Sequence, residues 1–401
     1  MAYELQKTEL DPLILGGCFF GSGGGGTVES ARSLLAHFEV GSYYPRATVR
    51  VVGVDEALEG DTVMVAYLGS PKAIDGATYP DGPVQAVREI MDRLASQGRT
   101  LAYVVPPESG ALGFIVACLV AAKLGLAVVD GDGAGRAVPS LPQLTYAAAE
   151  VNPRPAFLVS QSGLSVELDV KPRQGGNGGL AHQQDVSEMI DQMMRPIVSE
   201  SDFAQFGGLA MWIMAPSVLA GALPIRGTLT RALDMGKALA ERRFATATQV
   251  VAHLREAYGL DAQVIHGPGE FVKADTDTGG GFDIGRITLQ GNTGTCTVVY
   301  QNESLMAWNS ASPMPLCMAP DSIAYFVGGA GEPVFSNGDL VQADGSLKPA
   351  LKHRTVTLIG IGADPALRKP GGLNLDSFMK LLKQMGYYGP YVALGARGGQ
   401  A

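Results

Sequence analysis

Apolar positions in the first 170 residues alternate between a helical and an extended spacing. Residues 83–98 place apolar side chains mostly three positions apart, which predicts an amphipathic helix, and Gly98 predicts its end. Short apolar runs rich in β-branched residues are typical of buried strands, and they read TVRVVGV, TVMVAYLG, LAYVV, LAVVD and AFLVS. Helices and strands that alternate in this way predict an α/β domain with a mainly parallel sheet covered by helices.

Two helices are predicted before the first of these strands. Asp11 and Pro12 suit the N-cap and first position of a helix that runs to Phe20. Thr27 suits the N-cap of a second helix, and Ser30 stands at the capping-box position. Ligands of parallel sheets bind beyond the carboxyl ends of the strands, so we expect the loops PPESGALG and DGDGAGRAVP to line a site.

The pattern changes near residue 171. A polar, glycine-rich junction is followed by two or three helices, one of them over GTLTRALDMGKALAERR, and then by β-rich sequence with a turn signal about every ten residues. Such spacing predicts an antiparallel sheet or a small sandwich. We therefore predict an α/β domain over residues 1–170 and a C-terminal α+β domain, rich in antiparallel β structure, over residues 171–401.

Composition narrows the class of partner. The 401 residues are 46% hydrophobic and 17% charged, with a net charge of -9, so nucleic acid and anionic membranes are not expected partners. Four scattered cysteines without a C-x-x-C pair, and a start without a signal peptide, indicate a cytoplasmic protein without disulfides. The longest apolar run is broken by Lys123 and Gly125, which favours a buried helix and strand over a membrane span. The long apolar helices lead us to expect a homo-oligomer.

The segment Gly21–Gly26 satisfies G-x-G-x-x-G and has three interpretations. A dinucleotide fingerprint needs a strand before it, whereas the preceding residues open like a helix. A backbone anion cradle formed by Gly23, Gly24, Gly25 and Gly26, beside the N-terminus of the next helix, is favoured. The third interpretation is a close passage of two backbones.

Five motifs in this order resemble one known family: GSGGGG, PPESGALG, DGDGAGRAVPSLPQ, QNESLMAW and MAPDSIAYF. The family is named after S-methyl-thiohydantoin desulfurase, and its members often neighbour or are fused to hydantoinase/oxoprolinase proteins. The resemblance implies an α/β N-terminal domain, a β-rich C-terminal domain, and action on a cyclic ureide such as a hydantoin or thiohydantoin ring. Hydantoinase or oxoprolinase subunits are implied partners. Ala111 and Gly113 depart from the family pattern Glu-x-Gly-Gly-x-Asn, while Glu108 is kept.

Desulfurising such a ring means adding water at C2, which needs a base or a metal ion and donors for the intermediate. Asp130 and Asp132 stand two apart after a strand, where a carboxylate pair can activate water or bind a divalent cation, or can instead serve as turn residues. Arg136 suits a carboxylate clamp or an ordinary salt bridge. Glu108 suits a general base, a metal ligand, or a charge at a helix N-terminus.

In the second half, Asn302 and Glu303 follow a strand and offer an amide and a carboxylate to a cyclic ureide, or form a hairpin turn. His182 and His266 lie in glycine-rich sequence and are the better histidine candidates; His266 joins the aspartates as a candidate ligand of one divalent metal ion. The leading hypothesis is a hydrolase with Asp130, Asp132 and Glu108 as catalytic residues. A non-catalytic partner subunit and a nucleotide-binding oxidoreductase are the alternatives.

Overall fold

The computed structural model describes residues 2–39, 48–69, 81–160, 162–171 and 183–395. Within them, the first of two eight-stranded sheets has the order β1-β2-β5-β4-β3-β8-β6-β7. Its strands are β1 Tyr3–Gln6, β2 Thr48–Gly53, β3 Asp61–Gly69, β4 Leu101–Val105, β5 Ala127–Asp130, β6 Ala156–Val159, β7 Ser165–Leu168 and β8 Phe206–Met214. Strands β2, β5, β4 and β3 are parallel neighbours, and β6 runs in the same direction. The predicted α/β class with a mostly parallel sheet is confirmed.

Helices cover both faces of this sheet. The described helices are α1 Leu10–Phe20, α2 Val28–Glu39, α3 Asp81–Ser96, α4 Ala111–Leu124, α5 Thr145–Ala148, α6 Gln183–Val198, α7 Pro216–Ala222, α8 Thr228–Ala240, α9 Ala247–Tyr258, α10 Asn337–Leu340 and α11 Leu373–Gln384. Of these, α9 and α10 contact strands of the second sheet instead. Successive strand residues point to opposite faces. Val51 belongs to the hydrophobic cluster that includes buried residues of α1, α2 and α4, whereas Val52 belongs to the one that includes buried residues of α6 and α11. Burial on both faces explains why the strands are continuously apolar.

The second sheet is antiparallel throughout its described pairs, as predicted, with the order β13-β12-β11-β10-β9-β16-β14-β15. Its strands are β9 Ala262–Gly279, β10 Phe282–Gly291, β11 Gly294–Gln301, β12 Glu303–Asn309, β13 Cys317–Met318, β14 Ser322–Phe326, β15 Val334–Phe335 and β16 Thr355–Ile361. Among the described residues, no helix is both long and apolar enough to span a membrane.

Two local expectations differ from the structure. The sequence SLPQLTYAAAEV predicts a helix between the fourth and fifth apolar runs, but the structure has only the 3-10 turn Leu141–Gln143 and the short α5 there. Strand β8 follows residue 200 in sequence yet lies between β3 and β6 in the first sheet, antiparallel to both. The sequence of β8 is apolar throughout, so the spacing of its apolar residues does not distinguish a strand from a buried helix. Pairing with β3 decides its conformation.

Helices α1 and α8 approach so closely that glycine is required at the contact. A Cβ on Gly16 would lie 1.7 Å from the carbonyl oxygen of Ala232, and one on Gly236 would lie 1.7 Å from that of Pro12. We expect Gly16→Ala to lower the free energy of unfolding by about 1–3 kcal/mol, because the helices must move apart. Gly221→Ala is the control in chemical denaturation, since nothing lies within 4 Å of its added methyl. Equal stability of both variants would contradict the close contact.

Candidate functional site

A cavity of about 90 Å³ lies at the carboxyl ends of β3 and β4, where the second sheet meets the first. It is lined by the end of β3, by Glu108 after β4, by the loop around Pro139, and by Asn302 and Glu303 from the second sheet. One water molecule needs about 10–15 Å³ by the same measure, so the cavity has room for several waters or one small ring.

Glu108 follows Pro106 and Pro107 at the end of β4. Its Oε2 accepts a 2.7 Å hydrogen bond from the backbone N–H of Val138, and Tyr146 fixes the preceding turn by donating to the carbonyl of Pro106 at 2.9 Å. Burial, and then the nearby carboxylate of Glu303, raise the pKa of Glu108 well above its ordinary value. The surroundings of Glu108 therefore favour its protonated form.

Glu303 is the first residue of β12 and is 3% exposed. Burial raises its pKa from the ordinary 4.5 to about 7, while Arg136 and the N–H groups of Glu303 and Gly25 act in the opposite direction. Its Oε2 is buried without a hydrogen-bond partner in the described part of the chain. The cavity thus contains two interacting carboxyl groups, one of which exchanges its proton near neutral pH.

The glycine run joins α1 to α2 and holds this carboxylate. A Cβ on Gly24 would lie 2.2 Å from Oε1 of Glu303, so the side chain of Glu303 rests directly on the glycine backbone. Two hydrogen bonds join Ser22 to the second sheet. The carbonyl of Ser22 accepts from the N–H of Ser304 at 2.7 Å, and its hydroxyl oxygen accepts from the N–H of Ile323 at 3.0 Å. The cradle is formed within the protein, and the anion it contacts is Glu303.

The dinucleotide interpretation of this run lacks its structural context. A helix, α1, precedes Gly21, where the fingerprint requires a strand. The predicted capping of α2 is confirmed, since Thr27 Oγ1 accepts from the N–H of Ser30 at 2.8 Å and Ser30 Oγ accepts from that of Thr27 at 3.1 Å. The run is therefore a helix-to-helix connection whose glycines contact the backbone of Gly110 and the side chain of Glu303.

Comparison with known proteins identifies the family. Residues 8–170 match the family described as "S-Me-THD-like, N-terminal domain", and residues 184–391 match "S-Me-THD-like, C-terminal domain". The chain belongs to the S-Me-THD-like family. The S-Me-THD-like chain is also similar to an X-ray crystal structure of a protein from Chromobacterium violaceum, with 52% sequence identity, a TM-score of 0.87, and coverage of 98% of this chain and 100% of that one. A search of curated proteins found no match.

The two aspartates of this S-Me-THD-like chain lie in different surroundings. Asp130 accepts from the N–H groups of Leu229 and Thr230, at 2.9 and 3.3 Å, and so caps the N-terminus of α8. Asp132 is fully buried and accepts from Ala134, Gly135 and the hydroxyl of Ser109. Neither is among the residues that line the cavity. The charge of Asp132 contributes to the raised pKa of Glu108.

Arg136 is buried where the two sheets meet. Four hydrogen bonds of 2.8–3.2 Å run from its guanidinium to the carbonyls of Ala137, Pro320, Asp321 and Ser304. Because a guanidinium has five N–H groups, these bonds leave no pair of donors for a bidentate carboxylate clamp. Arg136 joins the loop after β5 to the second sheet, and its charge favours the ionised form of Glu303.

Asn302 lies at the cavity in the turn before β12, with φ +55°. Its Oδ1 accepts from the N–H of Asp283 at 2.8 Å, and no hydrogen bond joins its amide nitrogen to a described residue. His266 lies in β9, where Nδ1 is 3.3 Å from the amide nitrogen of Asn309 and burial lowers its pKa. Its contacts are within the second sheet, away from Asp130 and Asp132.

Asp130, Asp132 and His266 do not fit a common metal site. Each aspartate already accepts hydrogen bonds from several N–H or O–H groups, and His266 contacts neither aspartate. In the described ranges, no three His, Cys, Asp or Glu side chains gather closely enough to hold a metal ion. His182 lies outside the described residues. All four cysteines are buried, and burial raises the pKa of Cys18 well above its ordinary value, so its thiol is not activated.

Arg195 in α6 lines the cavity, and the sequence did not single it out. It donates to the carbonyls of Pro139 and Gly281 and to Asp191, and it lies 4.1 Å from the centroid of the Phe282 ring. It therefore fixes one wall of the cavity and places a positive charge near Glu303. A single arginine on an amphipathic helix carries no sequence signal for this role.

The raised pKa of Glu303 predicts a pH-dependent stability. A carboxyl whose pKa is higher in the folded than in the unfolded state stabilises the fold below the unfolded value and loses that contribution as pH rises through the folded value. At about 1.4 kcal/mol per pKa unit, a rise from 4.5 to about 7 corresponds to roughly 3 kcal/mol. We expect Glu303→Gln to be more stable than the wild type at pH 8 by up to this amount, and to lose the advantage towards pH 4.5.

Urea denaturation at pH 4.5, 6, 7 and 8 measures this difference. The control is Glu167→Gln, which removes a half-exposed surface carboxylate paired with Arg93. A Glu303→Gln advantage that stayed constant over this pH range would show that Glu303 does not titrate in the folded protein within it.

Proposed function

We propose that this protein is a hydrolase that removes the sulfur substituent from an S-methyl-thiohydantoin-like ring and leaves a hydantoin. The observation that carries the proposal is the pair Glu108 and Glu303, two buried carboxyl groups of raised pKa at one small cavity. Two carboxyl groups with different pKa values can act as acid and base at the same pH. Membership of the S-Me-THD-like family supports the choice of ring.

Glu303 is the base in this proposal. With a pKa near 7 it is substantially ionised at neutral pH, and its unpartnered Oε2 accepts a proton from water. The water oxygen bonds to ring carbon C2, and the electron pair of the C2=N bond moves to the ring nitrogen. Glu303 then passes its proton to that nitrogen, which restores its carboxylate.

Glu108 is the acid. Its protonated carboxyl gives a proton to the leaving sulfur as the C2–S bond breaks, and methanethiol departs. The hydroxyl group on C2 becomes the carbonyl, and its proton returns to Glu108. Water and the S-methyl ring thus give hydantoin and methanethiol, with both carboxyl groups restored. Asn302 is proposed to orient the ring through its amide nitrogen.

The test is an assay of the purified chain without added subunits. S-methyl-thiohydantoin is supplied in H₂¹⁸O at pH 7.5, methanethiol is measured with a thiol reagent, and the hydantoin is measured by mass spectrometry. We expect equal amounts of thiol and hydantoin, with one ¹⁸O at C2. Hydantoin is a second substrate, because opening of that ring would indicate ring hydrolysis instead. Absence of both reactions would overturn the hydrolase proposal and favour a partner subunit of a hydantoinase or oxoprolinase.

A further inference from the structure

A second cavity of about 390 Å³ lies apart from the first, between the start of α8, the loop before β14 and the residues after β16. It shares no lining residue with the cavity of about 90 Å³ at Glu108 and Glu303. By the same measure it is roughly four times as large, which is room for a small metabolite. Three of its lining residues are arginines: Arg136, Arg231 and Arg368.

Arg231 is partly buried, and its guanidinium makes no side-chain hydrogen bond to a described residue. Its Nε is sealed from solvent and makes no hydrogen bond, and no side-chain hydrogen bond or ion pair joins Arg231 to any described residue. Its guanidinium carbon lies 5.2 Å from the centroid of the Phe20 ring, which fixes its direction from one side. Burial lowers the pKa of Arg231, and the charges of Asp132, Asp130 and Asp364 act in the opposite direction without making an ion pair with it. A buried polar atom ordinarily has a hydrogen-bond partner, so the unpartnered Nε indicates a place for one.

The other charges at this cavity do not supply that partner. Arg368 likewise has no side-chain hydrogen bond to a described residue, while Arg136 is bound by main-chain carbonyls alone. Asp261 and Asp364 also line the cavity, yet neither lies within ion-pair distance of Arg231 or Arg368, and Asp364 accepts instead from the N–H of Ala366 at 2.9 Å. Three guanidinium groups and two carboxylates thus line the cavity, and the charges of Asp130 and Asp132 reach Arg231 from outside its lining.

We propose that this second cavity binds a small molecule through its carboxylate or phosphate group, held by Arg231 and Arg368. A guanidinium presents parallel N–H donors that match two oxygens of either anion, and a partly enclosed site strengthens such pairs. The proposal is independent of the reaction at Glu108 and Glu303. Arg136 lines this second cavity and also donates to the carbonyl of Ser304, the residue after Glu303 in β12.

The experiment is thermal unfolding and titration calorimetry of the full chain with sodium phosphate or sodium malonate, at fixed ionic strength set with chloride. We expect a saturable rise in Tm with at least one of the two probes. Arg231→Met should weaken that binding at least tenfold, and Arg368→Met should weaken it less. Arg243→Met is the control, because Arg243 is exposed and pairs with Glu241, and it should respond like the wild type.

Arg231→Lys keeps the charge but loses the fork of donors, so weakened binding in a folded variant supports the proposal even where Arg231→Met unfolds. Whether phosphate or malonate binds more tightly identifies the preferred anion. A Tm response shared equally by chloride, or unchanged in both Arg231 variants, would overturn the proposal and leave Arg231 as a packing residue against Phe20.

Discussion

Glu303→Gln is expected to lower kcat for thiol release by about 10²–10⁴-fold, the range typical of losing a general base. The amide keeps the shape of the side chain but cannot accept the proton of the attacking water. KM should change little, because the cavity wall is preserved. Steady-state kinetics at pH 7.5 measures the loss, and the kcat profile of the wild type should rise as pH increases through about 7, where Glu303 ionises.

The matched control is Asp130→Asn, which also replaces one carboxylate by its amide. Asp130 caps α8 and does not line the cavity, so we expect turnover within a few-fold of the wild type. The amide oxygen can still accept from the N–H groups, so the loss of stability should be about 0.3–1 kcal/mol, from the charge removed at the helix N-terminus. Abolished turnover in a folded Asp130→Asn protein, with an active Glu303→Gln protein, would return the catalytic role to the aspartates that the sequence favoured.

Gly24→Ala is expected to lower kcat about 100-fold, because a displacement of order 1 Å in a catalytic group has effects of that size. The new methyl would lie 2.2 Å from Oε1 of Glu303, so the carboxylate must leave its position. Circular dichroism should show a folded protein, since the other close atoms belong to the same movable side chain. Kinetics and the pH profile of kcat report the displaced base.

Gly113→Ala provides the control within the same cavity. Its added methyl would meet only the carbonyl oxygen of Glu108, at an ordinary 3.5 Å, and alanine suits the first turn of α4. We expect turnover within a few-fold of the wild type. An equal loss in both variants would mean that any added methyl near the cavity interferes, whereas full activity of Gly24→Ala would show that Glu303 need not rest on Gly24.

The candidate site was only partly visible in the sequence. Glu108 and Glu303 were singled out because each follows a strand, and the glycine run because several backbone N–H groups can meet there. Asp130 and Asp132 were singled out by the same argument, but the direction of a side chain after a strand depends on which N–H groups are near it. For Asp130, those belong to α8, about 100 residues later in the chain.

The sequence by itself determined the secondary structure pattern, the two fold classes and the family motifs, because period, turn residues and composition are local properties. Only the tertiary structure decided that β8 enters the first sheet, that the glycine run contacts Glu303, and that Arg136 donates to main-chain carbonyls of the second half of the chain. Each of these is a contact between residues more than 100 positions apart. Burial at such contacts raises the pKa values of Glu108 and Glu303, and no local pattern records it.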